Sequence, residues 1–136
     1  MGGRGSTSAG TGRASLDSTF REAHASRTRR SAENLAGAAN AAIANANEVR
    51  RMVREGANPQ AVNTSTIERM LLSDVRAAAV GTRLTVTAQG NFRDTAVKGS
   101  EGWEITDTSG TEGGGRFTDR QFAQYLLGAN HVYYSD

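Results

Sequence analysis

The aromatic residues of this chain are concentrated in one stretch, from Gly81 to Tyr134. This stretch contains the only Trp of the sequence, all three Tyr and three of the four Phe. Aromatic side chains bury roughly 150–250 Å² each when they enter a core. Because Ala, which buries little area, makes up much of the other apolar content, we expect the hydrophobic core to form around this stretch.

Alternating apolar and polar residues predict β-strands in the same stretch. Arg83–Thr87 alternates and is rich in β-branched residues, Thr95–Lys98 is a second short segment, and Trp103–Thr108 is a third. In the third segment, Trp103 is expected to face the core. Val132–Tyr134 is predicted to return as a final edge strand. These segments indicate a small antiparallel β-meander.

One helix is predicted to pack on this meander. Thr118 and Gln121 have the spacing of a capping box, and Phe117 with Phe122 has the spacing of a hydrophobic staple. The helix should therefore begin directly after Thr118. Gly128 is expected to end it.

Two helices are predicted before the meander. The first spans residues 31–55, since Ser31 is a good N-cap and Gly56 is a natural stop. The second spans residues 65–80, with Ser65 in a capping box. The first helix has a heptad-like seam that is mostly Ala: Leu35, Ala39, Ala42, Ala46, Val49 and Val53. Because Ala contributes little burial, this helix needs a partner surface, either within the chain or on a second copy in a homo-oligomer.

Residues 1–30 are predicted to be a basic and largely disordered arm. The first fifteen residues are almost entirely Gly, Ser, Thr, Ala and Arg, and they cannot offset the entropy of ordering. A short helix after Ser15 is the alternative, with Leu16, Phe20 and Ala23 on one side. Phe20 would then anchor this helix to a partner or to the folded domain.

The predicted fold class is therefore α+β, in three parts. Residues 1–30 form the arm, residues 31–80 the helical segment, and residues 81–136 the small sheet with its packed helix. There is no Cys, and no apolar run approaches the roughly 18 residues of a membrane span. We expect a soluble intracellular protein without membrane contact.

Charge is distributed unevenly along the chain, and it suggests where a partner could bind. Residues 1–55 hold nine Arg against five acidic residues, a net charge of +4, whereas residues 56–136 have a net charge of −2. The basic front favours an acidic protein or a nucleic acid as partner. A basic last turn also complements the helix dipole, which is the structural alternative for three of these Arg. The candidate partner-binding residues are Arg27, Arg29, Arg30, Arg50, Arg51, Arg54, Glu101, Glu104 and Asp107.

No residue pattern in the sequence indicates catalysis. His24 and His131 lie far apart and neither has the spacing of a metal-ligand pair. Without Cys there is no thiol nucleophile, and no Ser, His and acid combination stands out from the many that could be chosen. We expect no enzymatic activity, no cofactor and no metal.

Two features resemble small proteins encoded by tailed bacteriophages and related mobile elements. One is the opening, Met1–Ser6. The other is the order of residues in the C-terminal part, which is similar to a short domain of phage minor head and accessory proteins: Gly81-Thr82, Leu84, Val86, Val97-Lys98, Gly102-Trp103, Phe117, Phe122-Ala123 and Leu126. The resemblance implies a phage or prophage setting, either in or near the virion or in interference with a host complex such as a CRISPR or restriction system.

Three functional hypotheses follow. The first is a binding protein that docks on a host protein or nucleoprotein complex and inhibits it. The second is a virion or head-assembly component. The third is a direct nucleic-acid binder that uses the Arg-rich N-terminal region.

Overall fold

The computed structural model describes residues 8–56, 58, 64–88, 92–107 and 115–134, and at residues 8–17 and 107 it describes the backbone alone. The elements in chain order are α1 (Ser8–Arg54), α2 (Thr64–Ala77), β1 (Arg83–Thr87), β2 (Arg93–Gly99), β3 (Gly102–Asp107), β4 (Arg116–Phe117), α3 (Asp119–Leu127) and β5 (His131–Tyr134). The predicted α+β class is confirmed: two helices precede an antiparallel sheet against which a further helix packs.

The five strands form one antiparallel sheet in the order β4-β3-β2-β1-β5. Consecutive strands β1 to β4 pair as a meander, and α3 then carries the chain back so that β5 pairs with the free side of β1. β5 is the edge strand that the sequence predicts. β4 is not predicted, because two residues are too few to show an alternating pattern.

Trp103 joins α3 to the sheet. It is fully buried on the inner face and its ring stacks on Phe122, with 4.0 Å between the ring centroids. Its indole N–H donates to Asp119 at 3.1 Å, in the first turn of α3. The capping box of Thr118 and Gln121 is present, and α3 begins at Asp119 as predicted. The aromatic core therefore lies where the sequence places it.

The first helix is longer than predicted. α1 begins at Ser8, before the predicted start at residue 31, and it includes the region where a short helix after Ser15 was the alternative. Ser31 is not an N-cap: its hydroxyl accepts from the backbone N–H of Ala79 at 3.0 Å and lies 2.8 Å from the Thr82 hydroxyl. Helix elongation costs much less than nucleation, so the packed half of α1 can propagate into the Ala- and Arg-containing residues before it. Residues 1–7 of the predicted arm lie outside the described residues.

The Ala-rich seam of α1 packs inside the fold. Its buried residues face β5, β1, α2 and α3, and they are Ala32, Leu35, Ala36, Ala39, Ala42 and Ile43. The end of the predicted seam differs, since Val53 is 37% exposed. A straight helix drifts away from a strict heptad repeat, which rotates the later seam positions off the packed face. The buried seam is covered by this chain and is not an exposed surface for a second copy.

Asn40 closes the edge of the sheet against α1. Its amide N–H donates to the carbonyl of Val132 and its amide oxygen accepts from the N–H of Val132, both at 2.8 Å. This pair of bonds replaces those that a further strand would make to β5. An edge strand satisfied in this way is protected from pairing with another chain.

α2 ends at Ala77, three residues before the predicted end at residue 80, and Lys98 of β2 accounts for where it stops. The Lys98 ammonium donates to the carbonyls of Val75, Arg76 and Ala78 at 3.1, 3.1 and 2.8 Å. These are carbonyls of the last turn and the residue just after it, which lack helical partners. Gly56, just after the end of α1, has a positive φ of 98°. This is the backbone conformation expected of a glycine that ends a helix, as the sequence predicts for Gly56.

Residues 89–91, between β1 and β2, and residues 108–114, between β3 and β4, lie outside the described residues. Within the described ranges, no helix is both long enough and apolar enough to cross a membrane.

Candidate binding surfaces

Among the side chains that the structure describes, the N-terminal part of α1 contributes little to the core of the domain. Every side chain from Thr19 to Arg27 is exposed, and Ala32 is the first deeply buried residue from residue 18 onward. Residues 8–27 correspond to about 30 Å of helix at 1.5 Å per residue. We call the part with described side chains, residues 18–30, the exposed segment of α1.

Phe20 is the most prominent apolar residue on the exposed segment. It is 68% exposed, so it does not anchor the helix to the folded domain, which was one of the two predicted roles. Steps of three and four residues place Phe20, Ala23, Arg27 and Arg30 along one side of α1. We call this row the Phe20 stripe.

The Phe20 stripe leads into a groove between α1 and α2. Arg27 and Arg30 line this groove together with Asp74 and residues 77–79, and its volume is about 310 Å³. The groove has apolar walls, two guanidinium groups and one carboxylate. It could receive a short segment of a partner that carries both apolar and acidic side chains.

The basic residues in the last turns of α1 are mostly engaged. Arg51 forms ion pairs with Glu48 and Glu55, and the hydrogen bond from Arg51 lowers the pKa of Glu48. Arg50 donates to Asn47 at 2.7 Å and to the carbonyl of Leu127 at 3.4 Å. These contacts favour the structural alternative for this cluster. Arg54 ends the helix and is exposed.

The two groups of Arg on α1 do not form one surface. Arg30 and Arg51 are separated by about 30 Å along the helix axis. The predicted acidic residues lie away from both groups of Arg. They are on or next to β3, and β2 separates β3 from β1 and β5, the strands that α1 contacts. Glu101 and Glu104 both pair with Arg116 at 3.3 Å. For Asp107, only the backbone is described.

One face of the sheet is not covered by any of the described helices. Alternation along the strands buries Leu84, Val86, Trp103 and Ile105 on the helix side, and the described helices α1 and α3 that contact the sheet lie on that side. We call the opposite side the outer face. Its residues follow from the strand register, and they are Arg83, Thr85, Thr87, Arg93, Thr95, Val97, Glu104, Thr106, Arg116, His131 and Tyr133.

A second groove adjoins the outer face where α1 crosses the start of β1. Its volume is about 210 Å³, and Arg29 of the predicted set lines it together with Arg83 and Tyr134. Gly81 lies at its floor with φ of 97°, and a Cβ there would be 3.3 Å from a methyl carbon of Thr28. The close approach of α1 to this turn brings Arg29 to the sheet.

Within the described part of the chain, no group of three or more His, Asp or Glu side chains could hold a metal ion. His24 lies beside Gly81, and His131 packs edge-on against Tyr133 at a centroid distance of 4.5 Å. The two His therefore belong to different elements and different surroundings.

Comparison with protein-family models, with curated proteins and with solved structures finds no match to this chain. The function must therefore be argued from the chain's own surfaces.

Sequence reasoning identified Arg27, Arg29 and Arg30 as candidates but did not include Arg83 or Arg93. The signal for these two was available, because alternation places Arg83 and Thr85 on the same side of β1. What the sequence did not show was that this side is left uncovered.

Proposed function

We propose that this chain is a non-enzymatic binding protein of a phage or mobile element. It docks on a host protein or protein–nucleic acid complex, such as a CRISPR or other host-defence complex, and inhibits it. The phage setting comes from the resemblance of the opening residues and of the C-terminal part. The docking element is the Phe20 stripe with the groove between α1 and α2.

The observation that carries this proposal is Phe20, 68% exposed on a helical segment that packs little against the domain. An isolated helix of this length is marginal in water, and most helical stability in proteins comes from packing an apolar face. A phenylalanine this exposed costs solubility, and among the described residues it adds little to the packing of the fold. Burying it in a partner is worth roughly 1.5–3 kcal/mol.

Charge supports the same surface. Arg27 and Arg30 stand beside the groove that continues the Phe20 stripe. An aromatic anchor flanked by Arg is the composition that dominates binding energy at protein interfaces. The partner segment that fits is apolar with acidic residues at its edge, since it must satisfy the guanidinium groups as it covers Phe20.

Affinity capture from a host lysate tests the proposal, with Phe20→Ser and Phe92→Ser as matched variants. Phe92 is 70% exposed and lies on the hairpin between β1 and β2. The Phe92→Ser variant therefore removes a similarly exposed Phe from another surface. We expect the wild type and Phe92→Ser to retain one host protein or complex at stoichiometric level. Phe20→Ser should retain about tenfold less, in line with the loss of one buried aromatic side chain.

Equal retention by Phe20→Ser and the wild type would contradict the proposed docking element. Capture of capsid proteins alone, from cells that carry the phage, would contradict host inhibition and favour the role in virion assembly.

A further inference from the structure

We propose that the outer face of the sheet, together with the adjoining groove between α1 and β1, binds single-stranded nucleic acid. This site is separate from the Phe20 stripe and does not rest on the proposed docking function.

The first support is the charge of the outer face. On the half formed by β5, β1 and β2, the outward residues include Arg83, Arg93 and His131 and, among those described, no carboxylate. The carboxylate of Glu104 on the other half is paired with Arg116. The two Arg therefore give the half beside α1 a positive charge, and no carboxylate among the described outward residues of that half offsets it. A polyanion is the complementary ligand.

The groove extends this charge beyond the sheet. Arg29 and Arg83 both line it, and its described lining contains no Asp or Glu. A volume of about 210 Å³ can admit a phosphate group. Guanidinium groups suit this ligand, because their planar donors match phosphate oxygens in pairs.

The second support is the shape and residue composition of the outer face between Arg83 and Arg93. Tyr133 is 48% exposed and lies directly across from Thr85 on β1, and the same row continues to Thr95 on β2. Short Thr side chains leave this row low and flat. Tyr133 offers an aromatic ring at its side, with Arg83 diagonally opposite at about 7–8 Å. An aromatic ring beside a basic, flat surface is how proteins hold unstacked bases without reading their sequence.

The geometry favours single strands over duplexes. Five strands about 4.8 Å apart make a sheet roughly 19 Å wide. The major groove of B-form DNA is about 12 Å wide and admits a helix or a two-stranded ribbon, so this sheet cannot enter it. Unpaired bases can lie against an open sheet face and stack on its aromatic residues.

Fluorescence anisotropy with labelled oligothymidylate and oligouridylate tests the site, using the full chain and four variants. Arg83→Glu, Arg93→Glu and Tyr133→Ala change the proposed site. Arg69→Glu makes the same charge change on α2, at an exposed position away from the outer face.

We expect the wild type to bind at low salt, with an affinity that falls as salt rises. Arg83→Glu and Arg93→Glu should each weaken binding by about tenfold or more and make the log–log salt slope shallower by about 0.7 per lost phosphate contact. Tyr133→Ala should weaken binding by roughly 5- to 150-fold, the range for one stacked base, and leave the slope unchanged. Arg69→Glu should bind as the wild type does.

Absence of binding at low salt would overturn the proposal, and so would an equal loss in Arg69→Glu, since that would indicate net charge rather than a site. A site for acidic protein is the other reading of the charge. It would be indicated if polyglutamate displaced the oligonucleotide at equal charge and Tyr133→Ala had no effect, and this result also overturns the proposal. Phe20→Ser should retain full oligonucleotide binding, which separates this test from that of the docking element.

Discussion

At the scale of single residues, Tyr125 joins α3 to the second strand. Its hydroxyl donates to the carboxylate of Asp94 at 2.5 Å, and its ring packs edge-on against Phe117. Burial, and then the hydrogen bond to the Asp94 carboxylate and its negative charge, raise the pKa of Tyr125 well above its ordinary value near 10.

This shift predicts a specific sensitivity to alkali. The folded pKa is above the unfolded pKa, so the contribution of Tyr125 is fully present below about pH 10 and is lost as pH rises further, because the unfolded chain releases this proton first. We expect the free energy of unfolding of the wild type to fall more steeply between about pH 10 and 11 than that of Tyr125→Phe. Urea unfolding followed by Trp103 fluorescence measures it.

Tyr133→Phe is the control for this experiment, since it removes the hydroxyl of an exposed Tyr on another element. Its variant should keep the wild-type slope. A Tyr125→Phe variant with the same alkaline slope as the wild type would show that the buried hydroxyl is not the source.

At the scale of elements, a few polar side chains add to the hydrophobic packing that holds the helices and the sheet together. Lys98, the only Lys of the chain, reaches from β2 to three carbonyls at the end of α2. Its ammonium also lies 5.9 Å from the ring centroid of Trp103. One cation thereby connects α2, β2 and the aromatic core.

Replacing Lys98 by Met should therefore destabilise the fold although the volume is kept. Three carbonyls lose a charged donor, and we expect a loss of about 2 kcal/mol in the free energy of unfolding. Arg76→Met is the control, because Arg76 lies in the last turn of α2 and its side chain is exposed. This variant should change the free energy of unfolding by less than about 0.5 kcal/mol. Chemical denaturation of both variants checks this, and equal stabilities would contradict the capping role.

The elements that the sequence predicts are those with local signals. The alternation of Trp103 and Ile105 and the capping box at Thr118 depend on neighbours in the chain, and both are found in the structure. The start of α1 was misplaced because Ser31 has the chemistry of an N-cap. Its partners, Ala79 and Thr82, come from a distant part of the chain. A side chain's choice between local and tertiary partners cannot be read from its own position.

The same limit applies to the candidate sites. Arg27, Arg29 and Arg30 were identified by composition, and the structure places all three along grooves. Glu101 and Glu104 were identified as candidate partner-binding residues, and in the structure both pair with Arg116 of β4. Ion pairs between neighbouring strands decide which charged side chains remain available to a partner. The sequence does not predict these pairs, because it does not predict β4.

At the scale of the whole molecule, the aromatic stretch forms the body, and α1 spans from that body outward. One half of α1 completes the core through its Ala-rich seam and closes the sheet edge through Asn40. The exposed segment presents Phe20 together with Arg27, Arg29 and Arg30. In the proposed function, the domain holds this exposed segment as the docking element, and the outer face is the separate surface proposed to bind nucleic acid.

Site-specific photo-crosslinking in host cells tests the docking claim most directly. A benzophenone amino acid placed at Phe20, with the same substitution at Phe92 as control, reports which exposed aromatic position touches a partner. The account predicts a covalent adduct with one host protein from position 20 and none from position 92. An adduct from position 92 with none from position 20 would contradict it.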